Sequence, residues 1–508
     1  MKFWPFGRKT ETAVARVAPP VSRRRSYSAA GSKLTFNDFV GSRGSADYEL
    51  IGGLAKVRER SRALARNSGT MKRYIALLKT NVVGPGGFRY RCRVRKGDKN
   101  LDLDLNRRVE WAYWRWCKRP TVDGKLTMRQ LQNLMVASWA RDGEMLIELV
   151  YNSRYRDGFA LNPLEADMLD DTLNTVYRDT GNQIRMGVEV DNYGAAVAYH
   201  MFTQHPGDPG WFHEKSNKRY RRVSANRVIH VYEQLRPGQT RGEPPASAAI
   251  LGVKMLDGYR EAEVTARRIQ ASTMGFFKRS LPGAGQIDAM ADRMVEGEEQ
   301  PEFEVDLAPG TFKTMPDGYE FEKFESQGAT TDYQQFEGQV KKDIAMGLNV
   351  SDMSLGMETS GVSYSTGRSV LQEDRDYYRT LQEFFIETFA DVVIERWIMQ
   401  HSLQSDSVIP PTRITSVMEY SSFAGRGWDW IDPAKDVKAN AEALRTRQTS
   451  LSRIAAQRGI DLLDLIEEIA NDEKILTAAG LTVTFDDGKS DVSAKEDPED
   501  DGKVASSD

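Results

Sequence analysis

Apolar and polar positions follow two different periods along the chain, and this predicts a mixed α+β fold. Between residues 88 and 95 apolar side chains alternate strictly with arginines, which indicates a strand with one apolar and one basic face. Alternating or apolar runs predict further strands at residues 144–151, 184–190 and 195–202. The last two flank Asp191-Asn192-Tyr193-Gly194, a sequence typical of a turn, so we expect a hairpin there.

The middle of the chain follows the helical period. Apolar residues three or four positions apart, with no proline, predict a helix over residues 246–274 that is on the order of 40 Å long. A shorter helix is predicted over residues 332–348. Between them, residues 275–330 are rich in Gly, Pro and alternating apolar positions, which predicts a small β-containing module.

A segment dense in Gly and Ser follows, over residues 349–366, and this composition predicts a loop. A third helix with a broad apolar face is predicted after it, ending near residue 400. Residues 430–480 read as helices separated by clear start and stop signals, which are Asp432, Ser450, Gly459, Asp461 and Gly480.

The two ends of the chain carry opposite charge. Residues 1–34 form a basic leader, with seven basic residues against one acid in the first 30 positions, and residues 486–508 form an acidic tail with nine acids against three lysines. Both compositions predict disordered arms around a folded body. The whole chain has a formal net charge of −3, which argues against a protein that binds nucleic acid through bulk charge.

Two local patterns leave more than one interpretation open. The arginines of residues 89–95 suit phosphates, acids of a neighbouring subunit, or water. Trp111, Tyr113, Trp114 and Trp116 suit a stacking platform, but so many aromatics in one helix are more typical of a core or an interface.

The sequence contains few candidates for catalytic residues. Gly488-Lys489-Ser490 lacks the first glycine of a phosphate-binding loop, and His200, His205 and His213 match no metal-ligand spacing. Asp102 and Asp104 are the best acids for a magnesium-dependent nuclease, although acids before a helix usually cap it. The two cysteines, Cys92 and Cys117, indicate a reducing compartment, and no apolar run reaches the roughly 18 residues of a membrane span.

Several stretches, in their order and spacing, resemble the portal proteins of tailed phages, specifically the lambda-like portal family. Residues 361–368 depart from the family pattern, because the family more often has a tighter Tyr-Ser-Ser-x-Arg at this position. The stretches are residues 81–86, 142–144, 187–191 with 198–200, 228–232 with 236–242, 361–368 and 430–435.

The resemblance implies a ring-forming fold and a role for each segment. Residues 35–245 with 367–429 would be the wing, 246–274 and 331–348 the stem helices, and 275–330 the clip. Residues 349–366 would be the tunnel loop and 430–485 a helical crown. It further implies tunnel-loop residues that face the DNA channel and clip residues that dock the packaging motor. These are Ser354, Met357, Thr359, Ser360, Ser363 and Tyr364 in the loop, and Lys278, Arg279 and Pro282 in the clip.

A portal protein forms a ring, usually a dodecamer, at one capsid vertex, through which double-stranded DNA is packaged and ejected. The partners implied are other copies of the chain, the terminase motor, the major capsid or scaffold protein and a head-completion protein, with no membrane, no cofactor and no catalysis. The location implied is the virion, and the host cytoplasm during assembly. Two other hypotheses remain, a metal-dependent nuclease and a packaging ATPase. The absence of a P-loop from the sequence argues against the ATPase.

Overall fold

The computed structural model describes residues 44–97, 100–208, 220–272, 276–279, 319–322, 333–356, 362–429 and 432–478. These residues form the mixed α+β fold that the sequence predicts. The helices are α1 (Ala46–Leu50), α2 (Leu54–Asn67), α3 (Gly69–Leu78), α4 (Leu103–Cys117), α5 (Met128–Asp142), α6 (Ile250–Ser272), α7 (Tyr333–Gly347), α8 (Asp352–Gly356), α9 (Tyr364–Phe385), α10 (Asp391–Ser402), α11 (Ile414–Glu419), α12 (Pro433–Arg445), α13 (Leu451–Gln457) and α14 (Leu462–Ala478).

The strands are short and pair antiparallel. They are β1 (Arg89–Cys92), β2 (Arg95–Lys96), β3 (Asn100–Leu101), β4 (Glu144–Tyr151), β5 (Phe159–Leu164), β6 (Thr175–Val176), β7 (Gln183–Arg185), β8 (Val188–Val190), β9 (Ala196–Phe202), β10 (Tyr220–Ser224), β11 (Val228–Tyr232), β12 (Phe276–Arg279), β13 (Tyr319–Glu322) and β14 (Ser421–Ala424).

The sheets bring distant parts of the chain together. β4 lies between β11 and β5, and a second sheet has the order β10-β9-β8-β7-β6. The basic strand β1 pairs with β14, so the beginning and the end of the body share a sheet. One hydrophobic core extends from Leu64 on α2 to Trp428 after β14. No helix among the residues described combines the length and the apolar character that a membrane crossing requires.

The predicted hairpin is present, but its first strand is divided. β8 pairs with β9 around the predicted turn, where the Asp191 carboxylate accepts the backbone N–H of Tyr193 and of Ala195. The predicted strand 184–190 is itself a tight hairpin of β7 and β8, because Met186 and Gly187 have φ angles of 48° and 84°. Two successive residues with positive φ make the turn that joins antiparallel strands most closely.

The two predicted stem helices are confirmed as helices, with α6 beginning at Ile250 after a 3₁₀ turn over Pro245–Ala249. Its 23 residues span about 35 Å at a rise of about 1.5 Å per residue. α6 packs against α7, because Tyr259 stacks on Tyr333 with 5.6 Å between ring centroids and Arg260 pairs with Glu337 at 2.7 Å.

The Gly- and Ser-rich segment 349–366 is not entirely a loop, which corrects the prediction. Two of its serines begin helices: the Ser351 hydroxyl accepts the backbone N–H of Ser354 at 3.1 Å, and the Ser363 hydroxyl accepts that of Thr366 at 3.2 Å. These N-caps satisfy backbone donors at the starts of α8 and α9. Residues 357–361 lie outside the described residues.

α9 continues into α10 through a π-helical turn, Ile386–Ala390. The broad apolar face predicted for this helix is confirmed, since Phe385, Phe389, Val393 and Trp397 are all buried. The C-terminal helices are also confirmed: Asp432 and Ser450 cap α12 and α13 as predicted. Gly459 ends α13 with a φ of 70°, and Gly480 lies outside the described residues.

Candidate functional site

The described part of the predicted tunnel loop is anchored by a buried carboxylate. Asp374 on α9 accepts hydrogen bonds from the hydroxyls of Ser351, at 2.6 Å, and Ser354, at 2.5 Å, and from the Ser351 backbone N–H. From the other side, the Arg73 guanidinium on α3 donates to the Ser354 carbonyl oxygen. Ser354 therefore ties α8 to α9 and to α3, and its hydroxyl is already engaged.

The remaining predicted tunnel-loop residues divide into two groups. Ser363 and Tyr364 start α9; the Tyr364 ring is exposed, and the Lys435 ammonium lies 5.7 Å from its centroid. Met357, Thr359 and Ser360 lie outside the described residues. α8 and α9 thus define where the segment begins and ends.

The predicted clip is represented by one strand pair. Lys278 and Arg279 lie in β12, where their Cα atoms pair with those of Glu320 and Tyr319 in β13. This pairing confirms that the module contains β-structure. Pro282 lies outside the described residues.

The arginine strand contacts an acid of its own chain. Arg91 and Arg93 both pair with the Asp461 carboxylate, at 2.6 and 2.8 Å, and Arg89 donates to the Gly459 carbonyl oxygen at 3.3 Å. Burial opposes ionisation of Asp461, but the Leu463 backbone N–H and the two arginines outweigh it and hold the pKa of Asp461 below its usual value. These contacts join β1 and the residue after it to the C-terminal helices.

The aromatic helix α4 is amphipathic. Tyr113 and Trp116 belong to the core, which agrees with the expected packing role. Trp111 and Trp114 are 56% and 55% exposed, and each ring lies under a cation of the following turn, with Arg115 at 4.2 Å and Lys118 at 3.9 Å.

The two acids of the nuclease hypothesis are occupied by structural roles. Asp102 caps α4 by accepting the Leu105 backbone N–H, and its second oxygen pairs with Arg413 at 3.3 Å. Asp104 is exposed and pairs with Arg108 at 3.1 Å. The geometry gives the nuclease hypothesis no support.

The histidines do not converge. The His200 imidazole contacts the buried Glu189 carboxylate at 3.1 Å, and His213 lies outside the described residues. His205 lies near Glu165 and Asp167, with possible ligand atoms all within 4.8 Å of one another. However, Arg62 pairs with Asp167, and His205 Nδ1 accepts the Gly207 backbone N–H. In a neutral imidazole this leaves the proton on Nε2, which lies 3.2 Å from a Glu165 carboxylate oxygen without forming a hydrogen bond, and a protonated nitrogen has no lone pair for a metal.

A buried ionic centre lies around Glu144, and no pattern in the sequence predicted it. This fully buried carboxylate accepts hydrogen bonds from Arg241 at 2.5 Å, Arg58 at 2.6 Å, His230 at 2.9 Å and the Gly242 backbone N–H at 2.8 Å. Burial opposes its ionisation, but Arg241, Arg58 and His230 prevail and hold the pKa of Glu144 well below its usual value.

This centre explains several of the portal-like stretches. Residues 142–144, 228–232 and 236–242 are far apart in the sequence, but they supply the carboxylate, the imidazole and a guanidinium of one cluster. Gly143 is required because its φ is 85° and a Cβ atom would lie 2.2 Å from the Glu243 carbonyl carbon.

Comparison with known proteins agrees with these motifs. The profile of the family described as phage portal protein, lambda family, matches residues 34–382. Because this match covers more than half of the chain, the protein belongs to the lambda family of phage portal proteins.

Among its relatives, the probable portal protein of Halomonas phage phiHAP-1 is 31% identical over 443 residues, covering 86% of this chain and 84% of the relative. Portal protein B of Escherichia phage lambda is 23% identical over 475 residues, covering 86% of this chain and 87% of the relative. Of the solved structures, the neck of an empty GTA particle computed with C6 symmetry has 12% identity and a TM-score of 0.46, covering 82% of this chain and 97% of that chain.

Proposed function

We propose that this portal protein assembles into a ring, with twelve subunits as the expected number, through which double-stranded DNA is packaged and ejected. The observation that carries the proposal is the family match over residues 34–382. The chain acts as a structural component of the capsid vertex, without catalysis. Its assembly takes place in the host cytoplasm, and it is retained in the virion.

Exposed apolar side chains on the stem helices support assembly. Leu251 and Met255 on α6 are 65% and 64% exposed, and Met346 on α7 is 70% exposed. Burial of such groups against neighbouring copies is the main favourable contribution to association. Purified protein should form rings with a central hole in negative-stain images. Particles that remain monomeric at the concentrations reached during assembly would contradict the proposal.

A weakly charged conduit suits passage of DNA. Each phosphate that a fixed cation neutralises adds salt-dependent affinity, and a channel that bound DNA strongly would hold it. The net charge of −3 and a Gly- and Ser-rich tunnel segment avoid this.

Deleting residues 357–362 should leave ring assembly intact and impair DNA packaging or retention. α8 and α9, which flank the segment, are held by Asp374 independently of it. Negative-stain imaging reports assembly, and nuclease-protected DNA per particle reports packaging. A deletion that abolishes rings while the subunits stay folded would assign the segment to assembly instead.

The clip is proposed to dock the terminase motor first and a head-completion protein afterwards. A capsid or scaffold protein is a further expected partner. Exposed turns beside a strand pair are suited to exchanging partners. Reversing the charges of Lys278 and Arg279 to glutamate should weaken motor capture in a pull-down by roughly tenfold, because complementary charges become repulsive. As a control, Arg66→Glu changes an exposed charge on α2 and should leave capture unchanged. If a set of clip variants captures the motor as well as the unmodified protein does, the docking surface lies outside the clip.

A further inference from the structure

Three arginines gather around one tryptophan at the end of the body. The guanidinium carbons of Arg379, Arg375 and Arg426 lie 5.4, 5.8 and 5.9 Å from the centroid of the Trp428 ring. An aromatic ring attracts cations that lie within about 6 Å of its centroid, so all three guanidinium groups are close enough for this interaction. We call these three arginines the basic cluster.

Carboxylates of the same subunit neutralise this cluster only in part. Arg379 pairs with Asp376 at 2.6 Å, but Arg375 and Arg426 form no ion pair with any residue that the structure describes. Arg375 donates to the Asp429 carbonyl oxygen, and Arg426 donates to the Thr80 carbonyl oxygen. Burial, followed by the charges of Arg379 and Arg426, lowers the pKa of Arg375. Like charges are therefore held together without full compensation.

The same long helix carries the opposite charge further along. Glu383, Glu387, Asp391 and Glu395 recur every four residues through α9, the π turn and α10, and all four are exposed. Within the part of the chain that the structure describes, none of them forms an ion pair. Like charges four residues apart destabilise an isolated helix. We call these four residues the acidic ridge.

We propose that the basic cluster of one subunit binds the acidic ridge of the next subunit in the ring. This inference rests on the proposed ring, in which each subunit presents two different surfaces to its two neighbours, so that every cluster meets a ridge. Charge complementarity of this kind fixes the register of neighbouring subunits more than it adds affinity.

A second copy of the chain fits the cluster better than nucleic acid does. The chain itself supplies the complementary carboxylates, one ridge for each cluster. Guanidinium groups bind carboxylates and phosphates equally well through paired hydrogen bonds, so the geometry of the cations does not separate the two. The Trp428 ring, however, is only 9% exposed and leaves little face on which a base could stack.

Charge reversal tests the contact. Arg375→Glu with Arg379→Glu should lower the salt concentration at which rings dissociate and weaken subunit association by at least about tenfold, because acidic surfaces then face each other. Glu387→Lys with Asp391→Lys should have the same effect. Combining all four changes should restore ring stability, since the pair is exchanged and not removed. Sedimentation velocity across a salt series measures each case, with Arg66→Glu as the matched surface control.

The outcomes separate this inference from the proposed function. If the unmodified protein forms no rings, the ring proposal itself fails. If it forms rings and neither reversal changes their salt resistance, the inference is wrong. Rings of normal salt resistance that package less DNA after the arginine reversal would also overturn it, and would assign the cluster to phosphate binding. If both reversals weaken the rings and the combined variant does not restore them, the basic cluster and the acidic ridge do not contact each other.

Discussion

Replacing Glu144 with glutamine should lower the free energy of unfolding of the subunit by about 3–5 kcal/mol, the cost of leaving buried charges without their partner. The variant keeps the volume of the side chain but leaves the buried guanidiniums of Arg58 and Arg241 uncompensated. Thermal unfolding of the subunit followed by circular dichroism measures the loss. As a control, Glu419→Gln changes an exposed residue on α11 and should leave the unfolding temperature unchanged.

The pH dependence gives this prediction a second readout. Because the folded pKa of Glu144 lies well below its ordinary value of 4.5, its contribution to stability is present above pH 4.5 and is lost as the pH falls towards the folded pKa. Other carboxylates titrate in the same range, so the informative quantity is the difference between the unmodified protein and the variant. That difference should shrink on acidification. A difference that is small at neutral pH would mean that the centre contributes little to stability.

Local rules predicted most elements of the fold from the sequence, and where they failed the reason is specific. The density of Gly and Ser predicts a loop around Ser351 and Ser363. A serine is, however, equally common as the N-cap residue of a helix, and both of these serines cap one. Met186 continues the alternation of a strand while its backbone adopts a left-handed turn, which the hydrophobic pattern does not reveal. In both cases the residue type was compatible with two local structures, and tertiary contacts selected one.

Contacts between segments that are distant in the sequence were harder to predict. The arginine strand was recognised, but its partner Asp461 lies hundreds of residues later and nothing in the strand indicates it. The members of the Glu144 centre each appeared in a stretch that resembles the portal family, so their importance was visible while their contact was not. The spacing of hydrophobic residues identifies which face of an element is buried. The position of a charged residue in the sequence does not identify the residue with which it forms an ion pair.

Ending the chain after Phe485 should preserve rings, whereas ending it after Trp430 should destabilise them. The acidic tail that the first change removes has a net charge of about −6 and almost no apolar side chains to offset the entropy of ordering it. The second change also removes α12 to α14. This C-terminal region pairs with the rest of the body through Asp461, which binds Arg93, and through Glu467, which binds Arg107.

The apolar face of α14 gives the larger part of the expected loss. Leu463, Ile466 and Ile469 are 44%, 52% and 46% exposed in the single subunit, and no residue of α14 is buried. In a ring this face can pack against a different surface of a neighbouring copy, which would contribute to cohesion through burial of apolar surface.

A surface variant separates this cohesion from folding of the subunit. Ile466→Ser with Ile469→Ser keeps the whole chain and all the ion pairs, and it should still weaken rings in sedimentation at moderate salt, because each serine removes apolar area from the contact. Rings as stable as those of the unmodified protein would show that α14 lies outside the contact between subunits. Loss of rings on removing only residues 486–508 would show instead that the charged tail holds neighbouring subunits together, since an arm with so little apolar surface could do so only through ion pairs.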